Sequence, residues 1–186
     1  MNIENYRNVY PDYPPVFFEH NWYIGVWMIG NYYKNATDYH GAYPHSYLDR
    51  MFALFPEKQR VLHAFAGKTQ KGRWPEEITV DINDAVGPDV MGDVEHLSEL
   101  SLGQFDLILA DPPYSGEDAE KYGVPMVNRN AAVKELAKAL KPGGHLVWLD
   151  QMFPMYSNRV LKLVGTIGII RSTNNRVRMA FVWKRA

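Results

Sequence analysis

Short apolar runs recur along the chain, each cut off by glycine, proline or an acidic residue. Arg60–Ala66, Ile78–Ile82, Phe105–Ala110, His145–Leu149, Leu163–Ile170 and Arg176–Trp183 have the length and the branched or aromatic content of strands. Consecutive apolar positions, without a polar alternate, suit strands of a parallel sheet covered on both faces. Two helices are legible between them. Leu48, Met51, Phe52 and Phe55 fall at i, i+3, i+4 and i+7, which predicts a helix from Ser46 or Tyr47 to Phe55, stopped by Pro56. Val133, Leu136, Ala137 and Leu140 do the same for Asn130–Leu140, which ends at Lys141-Pro142-Gly143-Gly144. A short helix over Val94–Leu100 is expected with Asp93 as its cap. Trp22–Ile29 reads as a strand or a buried strap, and Ser115–Val127 as a polar loop. Only about ten residues follow Gly67 before the next strand, too few for the usual crossover helix.

One run ends unusually. Leu107–Ala110 gives way to Asp111-Pro112-Pro113-Tyr114, the pattern of a strand leaving a sheet at its carboxyl end. Open α/β sheets place their ligands there. The two prolines remove backbone donors and stiffen the loop, leaving carbonyl acceptors between a carboxylate and an aromatic face. A planar ring bearing an amino group would suit such a site.

Asp-Pro-Pro-Tyr after an apolar strand resembles the catalytic motif of class I S-adenosylmethionine (SAM) dependent methyltransferases that act on exocyclic amines, the adenine-N6 DNA methyltransferases among them. Ala64-Phe65-Ala66-Gly67 is similar to the family's SAM loop, although His63 stands where relatives usually have an acid and Lys68-Thr69-Gln70 replaces a second glycine region. Tyr43-Pro44 occupies the place of the segment that closes over the methionine part of SAM. Asp81, followed by Ile82, ends the second strand, where a carboxylate can accept both ribose hydroxyls. Gly92-Asp93 resembles the end of the third strand, at the adenine of SAM. Lys141–Gly144 leading into an apolar strand is common in the same family.

The resemblance implies a single α/β, Rossmann-like class I methyltransferase domain. Its sheet would be mostly parallel and seven-stranded, closed by an antiparallel C-terminal hairpin. Residues 32–186 would form that domain, and residues 1–31 an aromatic-rich extension packed on the core. The implied cofactor is SAM, bound by Tyr43, Pro44, His63, Ala64, Phe65, Ala66, Gly67, Asp81, Ile82 and Asp93. Asp111, Pro112, Pro113 and Tyr114 would be catalytic, with N6 of adenine in DNA as the acceptor. An rRNA or tRNA base methyltransferase is the alternative within the same chemistry. A non-catalytic nucleic-acid-binding or partner subunit on the same fold is the rival from another class, motivated by the altered glycine loop.

Composition narrows the rest. The chain has 186 residues, enough for one domain with a sizeable core, and 46% of them are hydrophobic, which excludes disorder. It has no cysteine, so disulfides and thiolate metal sites are excluded. His40 and His45 lack ligand spacing, and no metal is expected. No apolar run has the length of a membrane span, and Met1–Asn5 does not open a secretion signal, so a cytoplasmic location is expected. The net charge of −1 hides an asymmetry: outside histidine, ionisable residues are all acidic from Trp74 to Glu120 and all basic from Gln151 onward. Arg171, Arg176 and Arg178 are accordingly expected to contact nucleic acid, DNA before RNA. A protein partner or a homodimer is also expected, because the chain has no insert large enough for a separate target-recognition region.

Overall fold

The computed structural model describes residues 1–30, 43–171 and 177–186. A nine-stranded sheet runs through the molecule. The apolar runs form its centre: β3 (Arg60–Ala64), β4 (Glu76–Asp81), β5 (Val90–Met91), β6 (Phe105–Ala110), β7 (Leu140–Asp150), β8 (Leu161–Arg171) and β9 (Val177–Arg185). Two strands not in the expected seven extend the β8 edge, namely β1 (Val16–Glu19) and β2 (Trp22–Ile29). β2 lies parallel to β8, with Trp27 opposite Ile169, and β1 turns back antiparallel along it. A parallel pairing needs a long connection, and most of the chain separates these two strands.

Neighbouring order across the sheet is β1-β2-β8-β9-β7-β6-β3-β4-β5. Only β1 and β9 run against the rest, so the sheet is mixed but mostly parallel. The chain leaves β3 toward β4 and β5 on one side, and β6 toward β7 on the other. Their shared border is therefore the place where strand order reverses.

Consecutive apolar residues in each strand serve opposite faces. Val61, Leu107, Leu109, Val147 and Leu149 pack beneath α2 (Tyr47–Leu54), with Tyr6 of α1 (Ile3–Val9) in the same layer. Leu62, Ala64, Ile108, Ala110, Leu146 and Trp148 pack against α4 (Arg129–Lys138) and the turn of 3₁₀ helix at Val94–Leu100. That last segment, read as a helix from the sequence, is kinked at His96 and never becomes α-helical. Ser115–Val127, read as a loop, contains α3 (Gly116–Tyr122), whose first turn is capped by Ser115 and whose end is turned by Gly123. No helix among the described residues connects β3 to β4, as the short spacing required. None is long and apolar enough to cross a membrane.

Contact between β2 and β8 depends on a missing side chain. A Cβ on Gly165 would stand 2.5 Å from the Tyr23 Cβ and 2.6 Å from the Tyr23 carbonyl oxygen. Gly165→Ala should therefore push β2 off β8 and cost about 2 kcal/mol, the usual scale for overpacking. Urea unfolding of the variant measures this, and an unchanged midpoint would show that β2 is not held so closely.

Candidate active site

The carboxyl ends of β3, β4 and β6 meet at the reversal point, around a cleft whose empty space, open solvent included, is about 610 Å³. Phe65, Gly67, Asp81, Ile82, Asp93, Asp111 and Pro113 line it. Seven residues predicted from four separate stretches of sequence are thus brought together. Tyr43 and Pro44 line an adjoining hollow with Lys68, Thr69 and Gln70. Ala64, Ala66 and Pro112 are buried behind the wall.

The β3 turn is built for close approach. Phe65 and Gly67 both have left-handed backbone conformations, φ 57° and 51°, the first unusual for a bulky residue. Phe65 is steadied by an edge-on contact with Trp148, ring centroids 6.0 Å apart. The Gly67 N–H donates to Asp81 Oδ2 at 2.8 Å, and the Asn83 N–H to Asp81 Oδ1 at 2.9 Å. Both oxygens of Asp81 are fixed at the cleft edge with acceptor capacity to spare. Asp93 accepts from the Glu95 N–H at 2.9 Å, capping the 3₁₀ turn while lining the cleft.

His63 lies elsewhere. It is fully buried on the α2 side of the sheet, with Nε2 2.9 Å from Glu77 Oε2. Burial opposes the charge on Glu77, but His63 and the backbone N–H groups of Trp74, Gly72 and Arg73 outweigh it and hold the carboxyl down at about 2. This network braces the loop that follows Gly67, in place of a crossover helix.

At the other lip, Asp111 follows directly from β6. The Tyr114 hydroxyl donates to Asp111 Oδ1, and the Arg178 guanidinium lies over the Tyr114 ring, 4.5 Å from its centroid. Arg129 Nη2 donates to the Tyr114 carbonyl at 2.9 Å while its Nε donates to Asp150 Oδ2 at 2.7 Å. Asp150 is fully buried and also accepts from the Gln151 N–H at 2.6 Å, so α4, β7 and the motif are tied together. Tyr43 reaches the same place from ahead of α2, its hydroxyl donating to the Leu109 carbonyl at 3.1 Å.

Asp111 keeps some surface open to the cleft, yet protein surrounds it. Burial pushes its carboxyl up to about 7, against the pull of Arg178 and of the Tyr114 hydrogen bond; Asp150 adds to the rise and Arg171 opposes it. Burial, with Asp111 alongside, keeps the Tyr114 and Tyr43 phenols protonated.

Of the three arginines expected to contact nucleic acid, Arg178 is buried at the motif. Arg171 is partly buried at the end of β8 and within electrostatic reach of Asp111. Arg176 lies outside the described residues. Sequence reading placed Gly92 beside Asp93 at this end of the site but did not assign Val94, Glu95 or the individual residues of the Tyr122–Val127 wall of the cleft. The signals for that wall were Ser115 three residues ahead of Asp118, a helix start, and Gly123 as its stop. No group of histidines and acids among the described residues is arranged to hold a metal ion.

Sheet order, reversal point and antiparallel last strand together define the Rossmann-like fold of class I methyltransferases. No protein-family model matches the sequence, and no curated protein matches it. Solved structures do. TrmN from Thermus thermophilus superposes with a TM-score of 0.55 at 15% identity, covering 74% of this chain and 48% of TrmN. The chain thus spans about half the length of that protein. NodS, an N-methyltransferase from Bradyrhizobium japonicum WM9 in complex with S-adenosyl-L-homocysteine, gives 0.53 at 16% identity, covering 76% of this chain and 85% of NodS. At these identities the likeness establishes the fold.

The raised Asp111 carboxyl has a measurable consequence. Its folded pKa lies above the unfolded value, so between about pH 4 and 7 the folded state binds the extra proton. Stability contributed by that proton is present at low pH, is lost as pH rises through this window, and stays lost above it. Asp111→Asn, which removes the charge, should therefore melt higher than the parent at pH 8, with the gap closing toward pH 4. Scanning calorimetry at both values checks the sign.

Proposed function

We propose that the protein is a SAM-dependent N-methyltransferase acting on an exocyclic amine, with N6 of adenine in a DNA strand as the acceptor. The observation that carries the reading is the convergence of Asp111 and Pro113 of the Asp-Pro-Pro-Tyr motif with Gly67 and Asp81 on one cleft at the strand-order reversal. The residues fit the cofactor. Asp81 offers a fixed carboxylate for the ribose hydroxyls, Gly67 allows close backbone approach, and Asp93 with the Tyr122–Val127 wall encloses the adenine end. Tyr43, Pro44 and the Lys68–Gln70 loop would take the amino-acid end. NodS, crystallised with S-adenosyl-L-homocysteine, supports the same cofactor class.

Bound there, SAM would supply an electrophilic methyl group on a sulfonium. Transfer of that methyl to the acceptor nitrogen would break the donor's carbon–sulfur bond and leave the electron pair on a thioether sulfur. Asp111 and the Pro112 carbonyl accept the amine hydrogens, aim the nitrogen and stabilise the positive charge that grows on it. The nitrogen releases its proton afterwards, so no strongly basic group is required. Tyr114 gives the extruded ring a face. Asp111 serves this role as a carboxylate, so kcat/KM should rise with pH through about 7.

Incubation with tritiated SAM and separate DNA, RNA and protein pools, followed by nucleoside analysis, tests the acceptor. Label in N6-methyladenine from DNA is expected; label confined to RNA would move the acceptor to an rRNA or tRNA base. Asp111→Ala should lose transfer by about 100- to 1,000-fold, the range for removing a preorganised electrostatic partner. Its affinity for S-adenosyl-L-homocysteine by calorimetry should stay within a few-fold of the parent. Failure of the parent to bind either SAM or its demethylated product would overturn the reading.

A further inference from the structure

Arg178 is an odd residue for its position. Its register partner on β8 is Ile169, in the apolar layer beneath α2. A guanidinium there carries a desolvation penalty unless charge nearby compensates it. It is 7% exposed, and no carboxylate among the described residues lies within ion-pairing distance. Its Nε has no hydrogen-bond partner among the described residues. Among the described residues, one line of contacts leads from it to the cleft: the guanidinium on the Tyr114 ring, the Tyr114 hydroxyl on Asp111.

The other groups facing Asp111 come from every element packed around it. Tyr43 and Tyr47 approach from the α2 side, with Asp81 beyond Tyr43; Asp150 ends β7 and Arg171 ends β8. Asp150 is already matched by Arg129 at 2.7 Å. The charge on Arg171 is itself disfavoured, by burial and then by Arg178. Neither phenol carries charge near neutrality. Arg178 is thus the leading cationic influence on Asp111.

We propose that Arg178 is a positioning residue for the catalytic pair, clamping the Tyr114 ring and bringing its positive charge to bear on the Asp111 carboxyl. It acts through Tyr114 and through charge, without touching the acceptor. The inference rests on the reading of Asp111 as the group that accepts the amine. It also explains why this strand end keeps a buried arginine, a placement that open phosphate contact would not require.

Two neutral variants test it, Arg178→Met and, should that fail to fold, Arg178→Gln, with Arg178→Lys as the variant that keeps the charge. The Asp111 carboxyl is followed by carbon NMR across pH in the free protein, and kcat/KM is followed over the same range. In either neutral variant the Asp111 midpoint should rise by at least about one pH unit, and activity at pH 7 should fall by about fivefold or more and recover at higher pH. The lysine variant should keep the midpoint near the parent value while losing the fit on the ring. An Asp111 midpoint unmoved in a folded neutral variant would overturn the proposal. Absence of methyl transfer in the parent would instead strike the proposed function, and the NMR midpoint would still decide the role of Arg178.

Discussion

The cleft of this molecule depends on a topological constraint at the border of β3 and β6. Two parallel neighbours whose chains depart in opposite directions cannot both be covered at their carboxyl ends, so a crevice forms there. The residues that end each strand then face one another across it, whatever their distance in sequence. Gly67, Asp81 and Asp111 are such residues, and the cleft they line is a product of strand order before it is a product of any side chain. The braces around it, from His63–Glu77 on one side to Arg129–Asp150 on the other, keep short loops in shapes that no crossover helix imposes.

Much of this was readable from the chain. Phe105–Ala110 was delimited to the residue, because Pro112-Pro113 can continue neither a helix nor a strand ladder and so marks where the run ends. The two amphipathic stripes gave α2 and α4 within a residue or two. Parts that depend on partners were less legible. Whether Trp22–Ile29 is a strand or a strap is decided by the open edge of β8, which the segment itself does not encode. The kinked turn at Val94–Leu100 has a helical pattern, but packing against α4 decides its form.

The site divides the same way. Groups at strand ends were found, since a strand end is marked locally by glycine or acid. Arg178 was recognised as a basic residue near the C-terminus, yet its direction is set by the pairing of β9 with both β7 and β8. The Tyr122–Val127 wall consists of ordinary apolar residues, and only their place over the cleft makes them distinctive.

A carboxyl that titrates near 7 beside the proposed methyl donor also makes the site sensitive to the charge of what fills it. On the proposed reading, Asp111 gives up its proton as a sulfonium arrives and regains it once only a neutral thioether remains. Donor and product would then differ at this residue by one proton as well as by one methyl group. The cleft would release its spent cofactor by the same electrostatics that drew the fresh one in.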